Sequence, residues 1–250
     1  MKKILQWIYP PRCPICDEIW NPKMEQNRMM YCCPDCRQKL PWVRGAVCMK
    51  CGKPVGKEQE YCEDCQKQKH LFWQGAAAFT YSEGLPDAVF RMKFQNRRDY
   101  LDFFADAMVL ALRRHLTQWK PQVILPVPMH WKKRARRGYN QSELLAEKLS
   151  ERLGIPTEKK WARCIRRTAE QKHLSRSERR KNLSGSFQLS GKLQGVTRVL
   201  LVDDVYTTGS TMDELARILR NDGIYEVYFI VLCTGKGKKG GMHEEKSVLY

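Results

Sequence analysis

The chain has little histidine and no long apolar run. No stretch is apolar over enough residues to cross a bilayer as a helix. Residues 1–10 have too short an apolar run, and no small-residue cleavage site, for a secretion signal, so we expect a cytoplasmic protein without membrane insertion. The five histidines form no metal-ligand or nucleophile–base spacing, and we expect them at the surface: His70, His115, His130, His173 and His243.

Acidic residues are also scarce relative to basic ones. The 250 residues include 45 Lys and Arg against 27 Asp and Glu, a formal net charge of +18. Residues 130–182 hold 17 Lys or Arg and six Glu, which leaves +11 in this segment. A basic surface of this strength attracts polyanions such as nucleic acids or pyrophosphates.

Cysteine, in contrast, is abundant. In a reducing cytoplasm, Cys-x-x-Cys pairs are typical of zinc sites rather than disulfides. Two residues between thiolates let a tight turn direct both sulfurs at one tetrahedral ion. Pairing the turns in sequence order therefore predicts two structural Zn²⁺ ions in a double zinc-ribbon module over residues 1–70. The predicted ligands are Cys13, Cys16, Cys33 and Cys36 for the first ion and Cys48, Cys51, Cys62 and Cys65 for the second.

Two features of this module stay open. Interleaved pairing of the turns would also give two sites, and Cys32 is an alternative to Cys33, although only Cys33 has the regular spacing from Cys36. The apolar residues of 1–66 are scattered, so we expect folding there to depend on the metal. Such ribbons serve as structural staples or bind nucleic acid and partners.

Residues 71–234 follow a polar linker at 66–70 and predict an α/β domain with an open, mostly parallel sheet. Apolar runs predict strands near 76–81, 123–128, 199–202 and 226–233, and helical periodicity covers 85–94 and 99–116. Residues 235–250 are a basic, Gly/Lys-rich tail with the composition of a disordered segment.

The segment 199–211 carries the clearest chemistry of this domain. A buried strand runs into Asp203 and Asp204, and a hydroxyl-rich loop then opens a helix. Backbone N–H groups at a helix N-terminus bind phosphate, and the carboxylates are placed to accept hydrogen bonds from a ribose diol. The alternative is that the acids only cap the helix. The residues predicted to hold the phosphate are Thr207, Thr208, Gly209, Ser210 and Thr211.

This segment resembles the phosphoribosyl pyrophosphate (PRPP) signature of type I phosphoribosyltransferases. The resemblance implies PRPP bound with Mg²⁺ and assigns the ribose, and hence a catalytic role, to Asp203 and Asp204. It also implies a pyrophosphate loop after the second strand, here a charged loop, and a mobile flap near 166–182. Candidate cations in these two segments are Lys132, Lys133, Arg134, Lys172 and Arg179.

The ordered set of motifs resembles the ComF family over nearly the whole chain. It comprises the four cysteine pairs, the segments 126–128 and 137–144, and the Asp203-Asp204 motif. The resemblance implies a competence protein that acts in uptake and processing of single-stranded DNA, beside an ATP-dependent DNA translocase and other uptake proteins.

Three functions compete on this basis. The first is a phosphoribosyltransferase with an unidentified acceptor, and the second is a nucleic-acid-binding adaptor with a non-catalytic PRPP pocket. For the adaptor, Trp131, Tyr139 and Trp161 are candidate base-stacking residues, although each alone is more typical of core packing. The third is a protein-interaction scaffold.

Overall fold

The computed structural model describes residues 10–20, 32–166, 183–191 and 193–235. In chain order its strands are β1 (Gln74–Thr80), β2 (Val123–Pro126), β3 (Ala162–Cys164), β4 (Phe187–Leu189), β5 (Arg198–Tyr206) and β6 (Glu226–Thr234). Four of them form a parallel sheet in the order β1-β6-β5-β2, and β3 pairs with β4 in a small antiparallel hairpin. The predicted open parallel sheet is confirmed.

Seven helices are described. They are α1 (Pro34–Lys39), α2 (Glu63–Lys67), α3 (Leu85–Phe94), α4 (Tyr100–Trp119), α5 (Trp131–Arg137), α6 (Gln141–Leu153) and α7 (Ser210–Asn221). Helices α3 and α4 lie where the apolar periodicity predicted them. None of the described helices combines the length and apolar character needed to cross a membrane.

The prediction of a charged loop after β2 is wrong in its local structure. Residues 131–137 form helix α5, which ends at Gly138 with a φ of 79°. The imidazole of His130 accepts a hydrogen bond from the Lys132 backbone N–H, which satisfies one free donor of the first turn. Lysine and arginine have good helix propensity, so a short helix forms once its ends are capped.

The core has two layers, one on each face of the sheet. Successive side chains of β5 alternate, so that Leu200 and Val202 pack with α3, α4 and α6, whereas Val199 and Leu201 pack with α7. Cys13 belongs to the first layer and Cys48 to the second. The two cysteine turns thus contribute to the cores on opposite faces of the same sheet.

Candidate functional site

The candidate site lies at the carboxyl edge of the sheet, where β2 and β5 are neighbours. The chain leaves β2 toward α5 and leaves β5 toward α7, so both connections emerge at the same edge. Asp203 and Asp204 lie within β5, three and two residues before its end at Tyr206. Ligand sites of open α/β sheets form at this edge.

The Asp203 carboxylate accepts hydrogen bonds on one oxygen. Its Oδ1 accepts from the Ser142 hydroxyl at 2.7 Å and from the Asp204 backbone N–H at 2.9 Å. Among the described residues, no hydrogen bond to its second oxygen, Oδ2, is present. Burial, together with repulsion from the neighbouring Asp204 carboxylate, raises the pKa of Asp203 to about 7. The group therefore titrates near neutral pH and has an oxygen available for a ligand hydroxyl or a cation.

The Asp204 carboxylate is buried and paired. Its Oδ2 lies 2.7 Å from the Lys93 ammonium and accepts from the Gln141 side-chain amide at 3.0 Å. The predicted acids are thus held by Lys93 from α3 and by Gln141 and Ser142 from the first turn of α6. The sequence predicted no role for any of these three residues. Gln141 and Ser142 lie in the segment 137–144, which is part of the family resemblance, whereas no local sequence pattern indicates that Lys93 contacts β5.

The hydroxyl-rich loop closes the β5–α7 corner. Gly209 precedes α7 with a φ of 82°, a left-handed conformation that favours glycine. An added Cβ there would lie 2.6 Å from the Tyr206 hydroxyl and 2.9 Å from Cε1 of His70, so a side chain does not fit. The hydroxyls of Thr208 and Ser210 are 3.0 Å apart. The loop presents hydroxyls at the N-terminus of a twelve-residue helix, an arrangement suited to a phosphate group.

The expectation that the histidines lie at the surface is wrong for His70 and His130, which are both buried. His70 Nδ1 lies 2.7 Å from Oδ2 of Asp213, in the first turn of α7. The same carboxylate accepts from the Gln68 side chain at 2.9 Å and from the Leu71 backbone N–H at 2.8 Å. This carboxylate satisfies Nδ1 of His70, whereas the buried Nε2 has no hydrogen-bond partner among the described residues. The linker at 66–70 is therefore attached to α7 beside Gly209.

Three of the five candidate cations lie on the short helix α5. Arg134 pairs with Glu143 at 2.8 Å, Lys132 lies over the Trp131 ring, and Lys133 sits on the same short helix. Lys172 and Arg179 fall outside the described residues. Lys93 contacts Asp204 directly, and the charges of Asp204 and Asp203 act on Arg137, although burial lowers the pKa of this guanidinium.

The cysteines form the two groups predicted by sequence-order pairing. The sulfurs of Cys13, Cys16, Cys33 and Cys36 lie within 4.8 Å of one another, and so do those of Cys48, Cys51, Cys62 and Cys65. Four thiolates at this separation fit one tetrahedral Zn²⁺. Cys33, and not Cys32, lies in the first group, so Cys33 is the ligand of the pair; Cys32 is a fully buried core residue.

Two of the three candidate stacking residues are in the core. Trp161 is buried and donates its indole N–H to the Pro126 carbonyl at 3.0 Å, and Tyr139 is buried with its hydroxyl bonded to the Met92 carbonyl. Trp131 is exposed. Other aromatic residues on the surface were missed by the sequence analysis, among them Phe90 and Phe94 of α3.

Comparisons with known proteins match both parts of the chain. The double zinc ribbon domain family matches residues 4–66, and the phosphoribosyl transferase domain family matches residues 98–249. Competence protein F of Haemophilus influenzae is 34% identical over 219 residues, which cover 80% of this chain and 96% of that protein. DNA utilization protein YhgH of Escherichia coli K12 is 32% identical over 191 residues, 75% of this chain and 83% of that protein. Competence protein ComFC of Bacillus subtilis is 25% identical over 223 residues, 84% of this chain and 89% of that protein.

Proposed function

This chain belongs to the phosphoribosyl transferase domain family and to the family of competence protein F, and on that premise we propose that it binds PRPP at the β5–α7 corner while serving DNA uptake in the cytoplasm. Homologues named for competence and DNA utilization support the cellular role. The proposal extends to single-stranded DNA and to an uptake translocase as partners. The basic excess of residues 130–182 supports the DNA part.

One observation carries the PRPP part of the proposal. An acidic pair and a hydroxyl-rich loop converge at one edge of the sheet, with Gly209 keeping the loop backbone free of a side chain. The loop from Thr207 to Thr211 would hold the 5-phosphate through backbone N–H groups and hydroxyls. Asp203 Oδ2 would accept a hydrogen bond from the ribose diol, since Oδ1 is already occupied by Ser142.

The carboxylates also suit a divalent cation, because Mg²⁺ prefers hard oxygen ligands and Asp203 suffers repulsion that a cation would relieve. Asp203 and Asp204 would be the residues nearest to such an ion. Mg²⁺ would supply charge neutralisation of the pyrophosphate group. The chain's own contribution is to fix the acids through Ser142, Gln141 and Lys93, so that the ribose meets a preorganised edge.

Calorimetric titration of the zinc-loaded protein with PRPP and Mg²⁺ tests the pocket. We expect the Asp203→Asn/Asp204→Asn variant to lose binding, because both acceptor charges disappear. Asp222→Asn/Glu226→Gln is the matched control, since it removes two carboxylates at the amino edge of the sheet and should bind as the wild type does. Equal binding by wild type and the Asp203/Asp204 variant would refute the pocket assignment.

A non-catalytic adaptor is the second candidate function, and the pairing of Asp204 with Lys93 and Gln141 favours it, because these bonds satisfy the acid without substrate. Release of pyrophosphate from PRPP on addition of single-stranded DNA would establish turnover and exclude the adaptor. PRPP binding without release under the same conditions would favour the adaptor.

A further inference from the structure

Helix α3 exposes two aromatic rings side by side. Phe90 and Phe94 are 41% and 47% exposed, and their ring centroids are 5.1 Å apart. Residues four apart share one face of a helix, whereas Leu85, Ala88, Val89 and Met92 of this helix are buried. The core therefore does not use these two rings, and they form a small apolar patch.

Cations frame this patch. The Arg137 guanidinium lies 4.7 Å from the centroid of the Phe94 ring. Arg98 stacks 4.5 Å from the Tyr139 ring, and the Tyr139 hydroxyl is bonded to the Met92 carbonyl at the end of α3. The Phe94 ring therefore lies beside Arg137, and Arg98 follows the C-terminal end of the same helix in the chain. We call Phe90, Phe94, Arg98 and Arg137 the α3 platform.

The α3 platform borders the acidic pair. Lys93 precedes Phe94 in the chain and reaches the Asp204 carboxylate at 2.7 Å. Arg137 ends α5, and its Nη1 donates to the Gln141 side-chain oxygen at 3.1 Å, while the Gln141 amide donates to Asp204. A ligand on the rings would thus lie next to the candidate PRPP site.

We propose that the α3 platform stacks an unpaired base of single-stranded DNA whose phosphates lie against its arginines, an assignment that rests on the nucleic-acid part of the proposed function. Every base has a π-face, so two exposed rings and a guanidinium plane bind single strands without sequence preference. Charge favours a strand over a free base, because the platform continues into the basic helix α5 and a polyanion meets more of these cations than one base does.

The test compares oligothymidylate with an abasic oligonucleotide of equal length by fluorescence anisotropy. Wild type should bind oligothymidylate about tenfold more tightly, since base stacking contributes on the order of 1 kcal/mol or more per base. In Phe90→Leu/Phe94→Leu this preference should disappear, while the salt dependence of binding stays unchanged because no charge is removed. Unfolding midpoint and zinc content verify that the variant is folded.

Tyr225→Leu is the matched control. Tyr225 is another exposed aromatic residue with an arginine, Arg220, over its ring, but it precedes β6 at the amino edge of the sheet. Its loss should leave the base preference intact, and an equal loss would overturn the assignment to α3.

The remaining outcomes separate this inference from the proposed function. If wild type binds both oligonucleotides equally, base stacking on the α3 platform is refuted. Electrostatic binding of DNA by the protein would still be supported. If wild type binds neither, the nucleic-acid part of the proposed function fails, and the platform with it. Displacement of the oligonucleotide by thymidine monophosphate at comparable concentration would show that the rings bind a small ligand. That result would overturn the assignment of the rings to single-stranded DNA.

Discussion

The two four-cysteine sites share the Cys-x-x-Cys turn but occupy different surroundings. In the second site Cys48, Cys51 and Cys62 are buried and belong to the core layer that includes α7. In the first site only Cys13 is buried, and Cys16 is exposed. One motif thus supplies a core element on one face of the sheet and a more peripheral element on the other.

The contacts beyond the cysteines sharpen this difference. The second site continues through Gln68 and His70 to Asp213, so it supports the α7 side of the candidate pocket. The first site contacts the α3–α4 corner, where Arg91 donates to the Ile15 carbonyl and Arg97 to Asp17. Helix α3 in turn carries Lys93, the partner of Asp204. Each ribbon therefore supports a different side of one site.

Removing one zinc site at a time should have the largest effect on stability, and it tests the difference between the two sites directly. Cys51→Ser/Cys62→Ser should abolish cooperative folding, because structural Zn²⁺ binding contributes on the order of 10 kcal/mol and these residues lie in the core. Cys16→Ser/Cys36→Ser should lose one zinc ion and keep the parallel sheet. Zinc analysis and urea unfolding measure both.

Cys164→Ser is the control for cysteine loss, since Cys164 lies outside both groups and should leave both ions bound. Equal losses of unfolding free energy in the two double variants would contradict the predicted difference between the sites. So would complete unfolding of the first-site variant when the second-site variant stays folded.

Asp213→Asn tests the attachment of the second ribbon to α7. The carboxylate accepts from Gln68, His70 and Leu71, and an amide there presents its own donor to His70. The loss should be about 1–3 kcal/mol, with weaker PRPP binding because the loop at Gly209 shifts. Urea unfolding and calorimetry measure the two effects.

Asp17→Asn is the corresponding change at the first ribbon. Asn tolerates the φ of 64° found at Asp17, and the partly exposed ion pair with Arg97 contributes less than about 1 kcal/mol. PRPP binding should remain at the wild-type level. If Asp17→Asn weakens PRPP binding as much as Asp213→Asn does, the two sides of the pocket are equally dependent on their ribbons.

The carboxylate pair between the two sides gives an effect of similarly small size. The pKa of Asp203 is raised to about 7, so the folded state holds its proton more tightly than the unfolded chain. This stabilisation is present at low pH and is lost as pH rises through the folded pKa. From about pH 6 to pH 8, wild type should lose about 1 kcal/mol relative to Asp203→Asn. Urea unfolding at both pH values measures this loss, and a constant difference between the two proteins would contradict it.

Much of this architecture was predictable because it follows local patterns. Helical periodicity located α3 and α4, and apolar runs located the four strands of the sheet. The stacking residues were harder to predict from the sequence, because Tyr139 and Trp161 are buried whereas Phe90 and Phe94 are exposed. Composition reveals an aromatic residue, but its burial depends on which elements pack over it.

The sequence by itself determined the four Cys-x-x-Cys turns, the parallel α/β fold and the order of residues at the β5–α7 corner, while the structure decided how the turns pair. Ligand spacing, apolar periodicity and helix-terminal hydroxyls act over a few residues, so the local order of side chains is sufficient for them. Only the tertiary structure decided that Lys93 meets Asp204, that His70 meets Asp213 and that the two ribbons support opposite faces of the sheet. These contacts join residues more than a hundred positions apart, and the packing of elements on the sheet brings them together.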